Sequence, residues 1–336
     1  MACSLHFPAI QKIPDLKLVA LCDIDPERLK TAAVQFGIAN TFTDIEEMLD
    51  NCDLDAVSII GQPSLHVLGA QKCLKRQIPF MTEKPLAIKV DEAGELTGLA
   101  DKYGDCGQVG YTNRYSPAQR LAWQVSHSDE FGKISYVSTT HYTMSNIGNH
   151  GHIWGIKDRV ETLIQLHGVH AIDLWRFFGG DPYEVSASVA EVSASVAGEK
   201  QDENSVFASV LAYVRTINGP HGVIHIKTQA SHNGDINTDI MGNYSRIRVE
   251  NDKDVIYERS GANGNDWVRR AMADDVLRDT FLADQPVGQF IGNGMISHSY
   301  WGDFFHFEWM AFADSLLSGK SLSPSIKDAY RTVCLT

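Results

Sequence analysis

The sequence is poor in three features that mark common functional classes: paired cysteines, basic charge and long apolar runs. Its six cysteines are scattered over 336 residues, and the closest two, Cys3 and Cys22, lie 19 positions apart. Because no CxxC pair is present, the spacing excludes a zinc ribbon and a thioredoxin-like redox motif. Scattered cysteines are typical of proteins kept in a reducing compartment.

The charge balance is acidic, with 29 Lys and Arg against 42 Asp and Glu and a formal net charge of −13. Nucleic acids and anionic membrane surfaces bind clustered basic side chains, so we expect neither as a partner. No apolar run approaches the roughly 18 residues of a membrane-spanning helix. The first residues also lack the basic and apolar stretches of a signal peptide. The sequence therefore predicts a cytoplasmic protein.

The first third of the chain alternates strand and helix signals. Continuous apolar runs suit parallel strands that are buried on both faces. Three such runs are Lys17–Cys22, Ala56–Ile60 and Ile78–Thr82. Strands alternating with helices at these lengths predict a doubly wound, Rossmann-like parallel sheet, which we assign to residues 1–114.

Local signals mark the ends of the intervening helices. Asp25 can cap a helix whose first residue is Pro26, and Gly37 is a typical residue to end it. Thr43 and Glu46 have the spacing of a capping box for the next, shorter helix.

The pattern changes after residue 115, where strands follow one another with few helices between them. Ile134–His141, Phe207–Val214 and Val223–Thr228 alternate apolar and polar residues as sheet strands do. Residues 115–336 are therefore predicted to form an α+β domain with an open antiparallel sheet. A final amphipathic helix, Asp303–Leu317, is a candidate to pack back on the first domain.

Ligands of parallel α/β sheets bind beyond the carboxyl ends of the strands. Asp23 follows the predicted strand Lys17–Cys22, the second strand of the fold, where a carboxylate can accept hydrogen bonds from ribose hydroxyls and repel a 2′-phosphate. This favours NAD over NADP, with a solvated or helix-capping carboxylate as the alternative. The other candidate cofactor-binding residues are Gln62, Pro63, His66, Glu83 and Lys84.

A dinucleotide-binding fold normally begins with a strand, a GxGxxG turn and a helix. Residues 3–13 already have the pattern of that helix. We therefore expect the first strand and nearly all of the glycine turn to lie upstream of Met1. Those glycines let a helix N-terminus approach the pyrophosphate, so the chain as given is expected to bind NAD weakly.

Two short stretches contain the candidate catalytic residues. Lys84 follows a strand end in Glu83-Lys84-Pro85, where its ammonium can reach the junction of cofactor and substrate. His170 and Asp173 are three residues apart, so on a helix they share a face. A histidine near neutral pKa can take the proton of a hydroxyl group while hydride leaves the same carbon. A buried structural histidine is the alternative.

These motifs together resemble the Gfo/Idh/MocA family. The matching stretches are Leu18–Asp23, Asp25–Arg28, Ser64–His66, Thr82–Leu86, Asn113–Pro117, Gly132–Ile134 and Gly168–Leu174. The resemblance implies a dinucleotide-binding domain followed by a larger open-faced sheet. It also implies NAD(P)-dependent hydride transfer on a sugar, polyol or related compound, with Lys84 and His170 flanking the nicotinamide. A homodimer or homotetramer is expected, and no metal.

The candidate substrate-binding residues are Asn113, Arg114, His167 and Asp173. A structural salt bridge is the alternative for Arg114. Many family members have an aspartate four residues before the histidine, where this chain has Leu166. Because leucine cannot hydrogen-bond a sugar hydroxyl, we expect the substrate or the path of the proton to differ from the inositol-dehydrogenase type.

Three other functions stay open at this stage. One is an NAD-assisted glycosidase, which oxidises a sugar transiently. Another is a non-catalytic paralogue that binds cofactor weakly, for which the missing glycine turn is the main support. The third is a metal-dependent hydrolase that uses His150, His152, His167 and His170, although their spacing resembles no compact zinc set.

Overall fold

In a computed structural model of the chain, the structure describes residues 1–143, 154–191, 208–228, 235–252, 254–260, 267–271 and 301–336. The chain divides into two compact units. The first comprises residues 1–111 and 300–334, and the second comprises residues 112–299 and 335–336. His150 and His152, considered above as metal ligands, lie outside the described residues.

The first unit contains two small parallel sheets. In one, β1 (Ala20–Cys22) pairs with β2 (Asn40–Phe42). In the other, β4 (Phe80–Glu83) lies between β3 (Val57–Ile59) and β5 (Gly107–Gly110). Every strand pair in this unit is parallel among the described residues, which confirms the predicted Rossmann-like class.

Helices connect these strands. A π-helical turn at Ala2–His6 leads into α1 (Phe7–Gln11), and four helices follow: α2 (Pro26–Phe36), α3 (Ile45–Asn51), α4 (Pro63–Arg76) and α5 (Val90–Tyr103). The C-terminal part of the chain adds α9 (Trp301–Ser318) and α10 (Ile326–Val333). None of the helices in the described ranges is long and apolar enough to cross a bilayer.

The ends of α2 and α3 can be compared with the caps that the sequence predicts. Asp25 caps α2, since its side chain accepts two backbone N–H bonds at 3.0 and 3.2 Å. Gly37 ends the helix in a left-handed conformation at φ 69°, as predicted. The capping box at Thr43 is wrong: Asp44 caps α3 and accepts the Glu47 N–H at 3.0 Å. Aspartate is an equally good N-cap, so α3 begins one residue later than the box requires.

Two apolar clusters hold the first unit together. In one, α1 and α9 pack with β4 through Ile10, Met81, Trp309 and Phe312. In the other, Phe7, Leu21 and Leu29 join α1, β1 and α2. The first of these clusters places α1 and α9 beside β4, the strand that ends at Glu83.

The described part of the second unit contains one eight-stranded sheet. Its strands are β6 (Tyr136–Thr143), β7 (Glu184–Glu191), β8 (Ala208–Arg215), β9 (His221–Thr228), β10 (Asp235–Met241), β11 (Ser245–Glu250), β12 (Asp254–Ser260) and β13 (Trp267–Ala271). The spatial order is β13-β12-β11-β10-β6-β9-β8-β7. The predicted sheet domain is confirmed with one correction, because β6 and β9 pair in parallel and the sheet is therefore mixed.

Within the described ranges, the helical segments of this unit come before β6 and between β6 and β7. They are a 3₁₀ turn at Thr112–Tyr115, α6 (Pro117–Ser126), α7 (Arg159–Leu163), a π-helical turn at Ile164–Gly168 and α8 (Val169–Gly179). The π turn and α8 hold the histidine motif, and π turns occur often at functional sites.

Strand β6 lies against α8, and three alternate residues of β6, Val137, Thr139 and His141, bond to the helical segment. The three hydrogen bonds run from Trp175 Nε1 to Val137 O at 2.9 Å, from Thr139 Oγ1 to Ala171 O at 2.8 Å, and between His141 Nδ1 and His167 O at 2.8 Å. Gly222 of β9 permits the first bond, since a Cβ there would lie 1.6 Å from Val137 O.

Candidate active-site residues

The predicted cofactor residues of the first unit lie at the carboxyl ends of its parallel strands. Asp23 directly follows β1 and is half-buried, and its Oδ1 accepts the Asp25 N–H at 2.8 Å. Gln62 and Pro63 begin α4 after β3, and Glu83 ends β4. These strand ends offer a carboxylate that can accept from ribose hydroxyls and a helix N-terminus that can donate to a phosphate, a combination that fits a nicotinamide dinucleotide. The individual cofactor contacts stay predictions.

His66 joins the turns that follow β3 and β4. Its ring is 1% exposed, with Nδ1 2.7 Å from Pro85 O and Nε2 3.1 Å from Gly61 O. Burial lowers the pKa of His66 and outweighs the opposing effect of these carbonyls and of Glu83. The neutral ring therefore has one N–H to donate, and the shorter contact favours Pro85 as its acceptor. His66 thus fixes the spacing of two turns, and its predicted contact with cofactor stays a prediction.

Glu83 is a buried carboxylate with a separate donor for each oxygen. His6 Nε2 lies 2.9 Å from Oε1, and the Lys84 backbone N–H donates to Oε2 at 3.1 Å. Burial raises the pKa of Glu83, but the His6 bond and the charge of Lys84 oppose it, and the pKa lies below its usual value. Glu83 is therefore ionised at neutral pH.

The Lys84 side chain is partly exposed beside that carboxylate. Burial lowers the pKa of Lys84, and the negative charge of Glu83 opposes this without cancelling it. An ammonium with a lowered pKa gives up a proton more readily than an ordinary lysine, which suits a group that hydrogen-bonds a reacting hydroxyl.

In the second unit, Asp173 and Arg114 form a buried bidentate ion pair. Arg114 Nε and Nη2 each lie 2.6 Å from a different Asp173 oxygen, and Asp173 is 1% exposed. The guanidinium also stacks over Phe177, one turn along α8, at 5.2 Å. The salt bridge that the sequence left as the alternative for Arg114 is thus present. The predicted substrate contacts of both residues stay predictions.

Asn113 bonds to a buried turn of the sheet. Its Nδ2 donates to Asp252 Oδ2 at 2.8 Å, while Gln119 Nε2 donates to Oδ1 at 2.6 Å. Asp252 lies in the β11–β12 hairpin at φ 54° and is 4% exposed. Burial raises its pKa from 3.8 to about 7, against the lowering effect of the two amides. Asn113 itself is 1% exposed, so its observed role is structural and its predicted substrate contact stays a prediction.

His170 lies in a cluster of three imidazoles. It is 3% exposed and shares a face of α8 with Asp173. His141 of β6 lies with its ring centroid 5.9 Å from that of His170 and 5.5 Å from that of His167. His141 Nδ1 faces a carbonyl oxygen, which only accepts, so in the neutral ring this nitrogen holds the proton and Nε2 is the acceptor.

Sequence reasoning missed His141 and His6. The signal for His141 was available, because it has the same parity in β6 as Val137 and Thr139, which face α8. His6 gave no local signal, since its partners Glu83 and Trp309 are 77 and 303 residues away in sequence. Among the described residues, no three His, Cys, Asp or Glu side chains are arranged to hold a metal ion.

Comparison with known proteins agrees with this architecture. Residues 1–111 match the family described as "Oxidoreductase family, NAD-binding Rossmann fold", and residues 120–248 match the "GFO/IDH/MocA C-terminal domain". The solved structure of a levoglucosan dehydrogenase in complex with NADH and levoglucosan aligns with a TM-score of 0.78 at 20% identity. That alignment covers 99% of this chain and 90% of the other.

Two curated relatives are similar in sequence. An uncharacterised oxidoreductase of Bacillus subtilis is 24% identical over 264 residues, which cover 77% of this chain and 74% of the relative. An inositol 2-dehydrogenase of Arthrobacter sp. is 27% identical over 228 residues, which cover 66% of this chain and 65% of the relative. With both domain matches in the order the two units have, the chain belongs to the GFO/IDH/MocA family of NAD-binding oxidoreductases.

Proposed function

We propose that this oxidoreductase is an NAD-dependent dehydrogenase acting on a hydroxyl group of a sugar, polyol or related compound. The observation that supports this most directly is the position of His170. It is a buried imidazole, contacts a second imidazole, and lies one helical turn before the Asp173–Arg114 ion pair. The sugar and polyol dehydrogenases among the relatives and structural neighbours support the substrate class.

His170 is the proposed proton acceptor in oxidation and proton donor in reduction. When bound, the nicotinamide accepts a hydride from the substrate carbon, or returns it in the reverse direction. The hydroxyl proton passes to a His170 nitrogen, so that the alcohol becomes a carbonyl and the imidazole becomes positively charged. The carboxylate of Asp173 lies on the same face of α8 and favours that charge.

Lys84 is the proposed hydrogen-bond donor to the reacting oxygen. The neighbouring ionised Glu83 opposes the effect of burial on Lys84 and favours its ammonium form, which can stabilise negative charge developing on that oxygen. Asn113, Arg114 and His167 are proposed to shape the substrate site.

Asp23 supports NAD over NADP. Its carboxylate at the end of β1 repels a 2′-phosphate and accepts bonds from ribose hydroxyls. An arginine nearby could accept the phosphate, but the nearby Arg28 pairs with Asp25, its Nε 2.8 Å from Oδ2. The cofactor preference therefore follows from the charge of one side chain.

Turnover of a sugar and polyol panel with NAD tests the proposal. His170→Ala should lose about 10²–10⁴-fold in turnover, the usual cost of losing a general base, while NAD binding persists. His167→Ala is the matched control and should lose far less. Near-normal turnover by His170→Ala under saturating NAD would overturn the assignment of the proton acceptor.

The cofactor preference is tested separately. Asp23→Ser should lower the ratio of kcat/KM for NAD to kcat/KM for NADP, because the repulsion of the 2′-phosphate is removed. Asp55→Ser removes an exposed carboxylate before β3, at the opposite end of a strand, and should leave the ratio unchanged. An unchanged ratio in Asp23→Ser would remove Asp23 from the ribose site.

The assembly and location stay proposals. We propose a homodimer or homotetramer, supported by Leu211 and Tyr213, which β8 exposes on the side away from the core at 48% and 45%. Sedimentation of the intact chain measures the oligomeric state. We also propose a cytoplasmic location, which the six free cysteines support.

A further inference from the structure

Two buried hydrogen-bond donors, Trp309 and His6, connect to the Lys84 turn through Glu83. The proposed catalytic scheme gives neither donor a role. Trp309 Nε1 lies 3.1 Å from His6 Nδ1, and His6 Nε2 lies 2.9 Å from Glu83 Oε1. The other Glu83 oxygen accepts the Lys84 backbone N–H at 3.1 Å. These residues all belong to the first unit, so one continuous set of contacts runs from α9 to the backbone of Lys84.

The chemistry of the donors fixes the His6 tautomer. An indole nitrogen only donates, so His6 Nδ1 must be the acceptor of the Trp309 bond. The proton of the neutral ring is then on Nε2, which faces Glu83. Both side chains are buried, His6 at 1% and Trp309 at 3% exposure, and the edge of Phe305 packs on the His6 ring with centroids 4.7 Å apart. The ring therefore has one orientation and one tautomer.

The N–H on His6 Nε2 helps to keep Glu83 negatively charged. Burial alone raises the pKa of a carboxylate, and in Glu83 the opposing groups are His6 and Lys84. His6 bonds directly to the carboxylate through its side chain. Without it, a buried oxygen would lose its donor, and a buried acceptor left without a partner is costly.

We propose that His6 and Trp309 are positioning residues of the candidate active site: Trp309 selects the His6 tautomer that donates to Glu83, and this bond keeps Glu83 an ionised anchor for the Lys84 turn. The catalytic consequence rests on the proposed function, in which Lys84 contacts the reacting oxygen. The tautomer and the ionisation of Glu83 do not rest on it.

The first test titrates Glu83 itself in the intact chain without cofactor or substrate. Carbon-13 NMR of selectively labelled glutamate follows the carboxyl signal, which Glu83→Gln identifies by its loss. The wild-type signal should show no midpoint between about pH 5 and 9. His6→Leu should bring a midpoint into that window, since a lost hydrogen bond and burial both favour the neutral acid.

His6→Gln is the matched control. Its side-chain amide nitrogen can occupy the place of Nε2 and donate to Glu83, so the carboxyl should again titrate below the window. Equal midpoints in wild type and a folded His6→Leu variant would overturn the proposal. So would a His6→Gln variant that titrates like His6→Leu, because the two would then share only the loss of the ring.

The second test reads the tautomer. Nitrogen-15 NMR of labelled histidine should show His6 with its proton on Nε2 in the wild type. Trp309→Phe keeps the aromatic volume but removes the indole N–H, and the fraction of that tautomer should fall. An unchanged tautomer in the variant would remove Trp309 from the proposed chain of donors.

An activity measurement separates this inference from the proposed function. If the sugar panel gives turnover, the acid limb of the kcat/KM profile should move to higher pH in His6→Leu and return in His6→Gln. An acid limb that stays in place in His6→Leu would contradict the catalytic role. If no compound on the panel is turned over, the proposed function fails, and the NMR titrations still decide the ionisation of Glu83.

Discussion

The two units each bury a carboxylate to the same extent, and the two carboxylates have opposite pKa shifts. Glu83 and Asp252 are both 4% exposed, and burial raises the pKa of each. Around Glu83 the His6 bond and the charge of Lys84 reverse this effect, so its pKa falls below its usual value. Around Asp252 the two amides of Gln119 and Asn113 do not reverse it, and its pKa rises to about 7.

The comparison shows that the partner, more than the depth of burial, decides whether a buried acid is charged. An amide N–H is a neutral donor, and two of them fall short of the free energy of hydration that the Asp252 carboxylate loses. A cationic neighbour adds a Coulomb term in a medium of low dielectric constant. Asp173, with a bidentate arginine and 1% exposure, is the extreme case of the charged kind.

The largest effect on the free energy of unfolding is expected where a buried charge loses its counter-charge. Asp173→Asn keeps the shape of the side chain but leaves Arg114 buried without its counter-charge. We expect the free energy of unfolding to fall by about 3–5 kcal/mol. Urea unfolding followed by tryptophan fluorescence measures this loss.

The control removes both charges. In Arg114→Met with Asp173→Leu no charge is left unpaired, and an apolar replacement of a buried ion pair is often close to neutral. The double variant should therefore recover most of the stability lost by Asp173→Asn. A double variant as unstable as the single one would show that shape, and not charge, makes the pair important.

The second prediction concerns Asp252. Because its folded pKa of about 7 lies above the usual 3.8, the folded protein holds a proton that the unfolded chain releases across this range. The contribution of Asp252 to stability is therefore fully present below about pH 4 and is lost as the pH rises to about 7, by at most about 1.4 kcal/mol per pH unit. Asp252→Asn should remove this slope.

The asparagine suits the site for two reasons. Asparagine tolerates the left-handed conformation at φ 54°. The oxygens of Asn113 and Gln119 have no hydrogen-bond partner among the described residues, so either amide can turn to accept from the new side chain. Asp254→Asn, an exposed carboxylate two positions along, is the control and should leave the slope of unfolding free energy against pH unchanged. If both variants keep the wild-type slope, Asp252 does not titrate in this range.

The smallest effect is expected for Glu83, whose pKa is lowered. Its contribution to stability is present above the usual value of 4.5 and is lost as the pH falls through the lower, folded pKa. Glu83→Gln should therefore lose less stability than wild type between about pH 5 and 3, and unfolding in urea across that range measures the difference. If Glu83→Gln instead removes a loss of stability near neutral pH, Glu83 titrates in the same range as Asp252. The two carboxylates would then not differ in charge state.

The sequence was informative where structure follows from neighbours along the chain. The Asp25 cap, the Gly37 end and the shared helix face of His170 and Asp173 depend on positions a few residues apart, and all are present. The charge states of the buried acids were not predictable in this way. Asn113 lies 139 residues from Asp252, and His6 lies 77 residues from Glu83, so only the folded chain brings each acid to the partner that sets its pKa.

The position of β6 has a consequence for synthesis and folding. The sheet consists of two antiparallel arrays of strands adjacent in sequence, β7-β8-β9 and β10-β11-β12-β13, and β6 lies between them as a common neighbour. Each array can form from contacts close in sequence, whereas β6 leaves the ribosome before both and pairs with strands more than 70 residues later. Until β9 and β10 have been synthesised, neither edge of β6 can pair with the strand that is its neighbour in the finished sheet. Such non-local pairing slows folding and exposes strand edges to other chains, so β6 is a segment of the nascent protein that needs protection from aggregation.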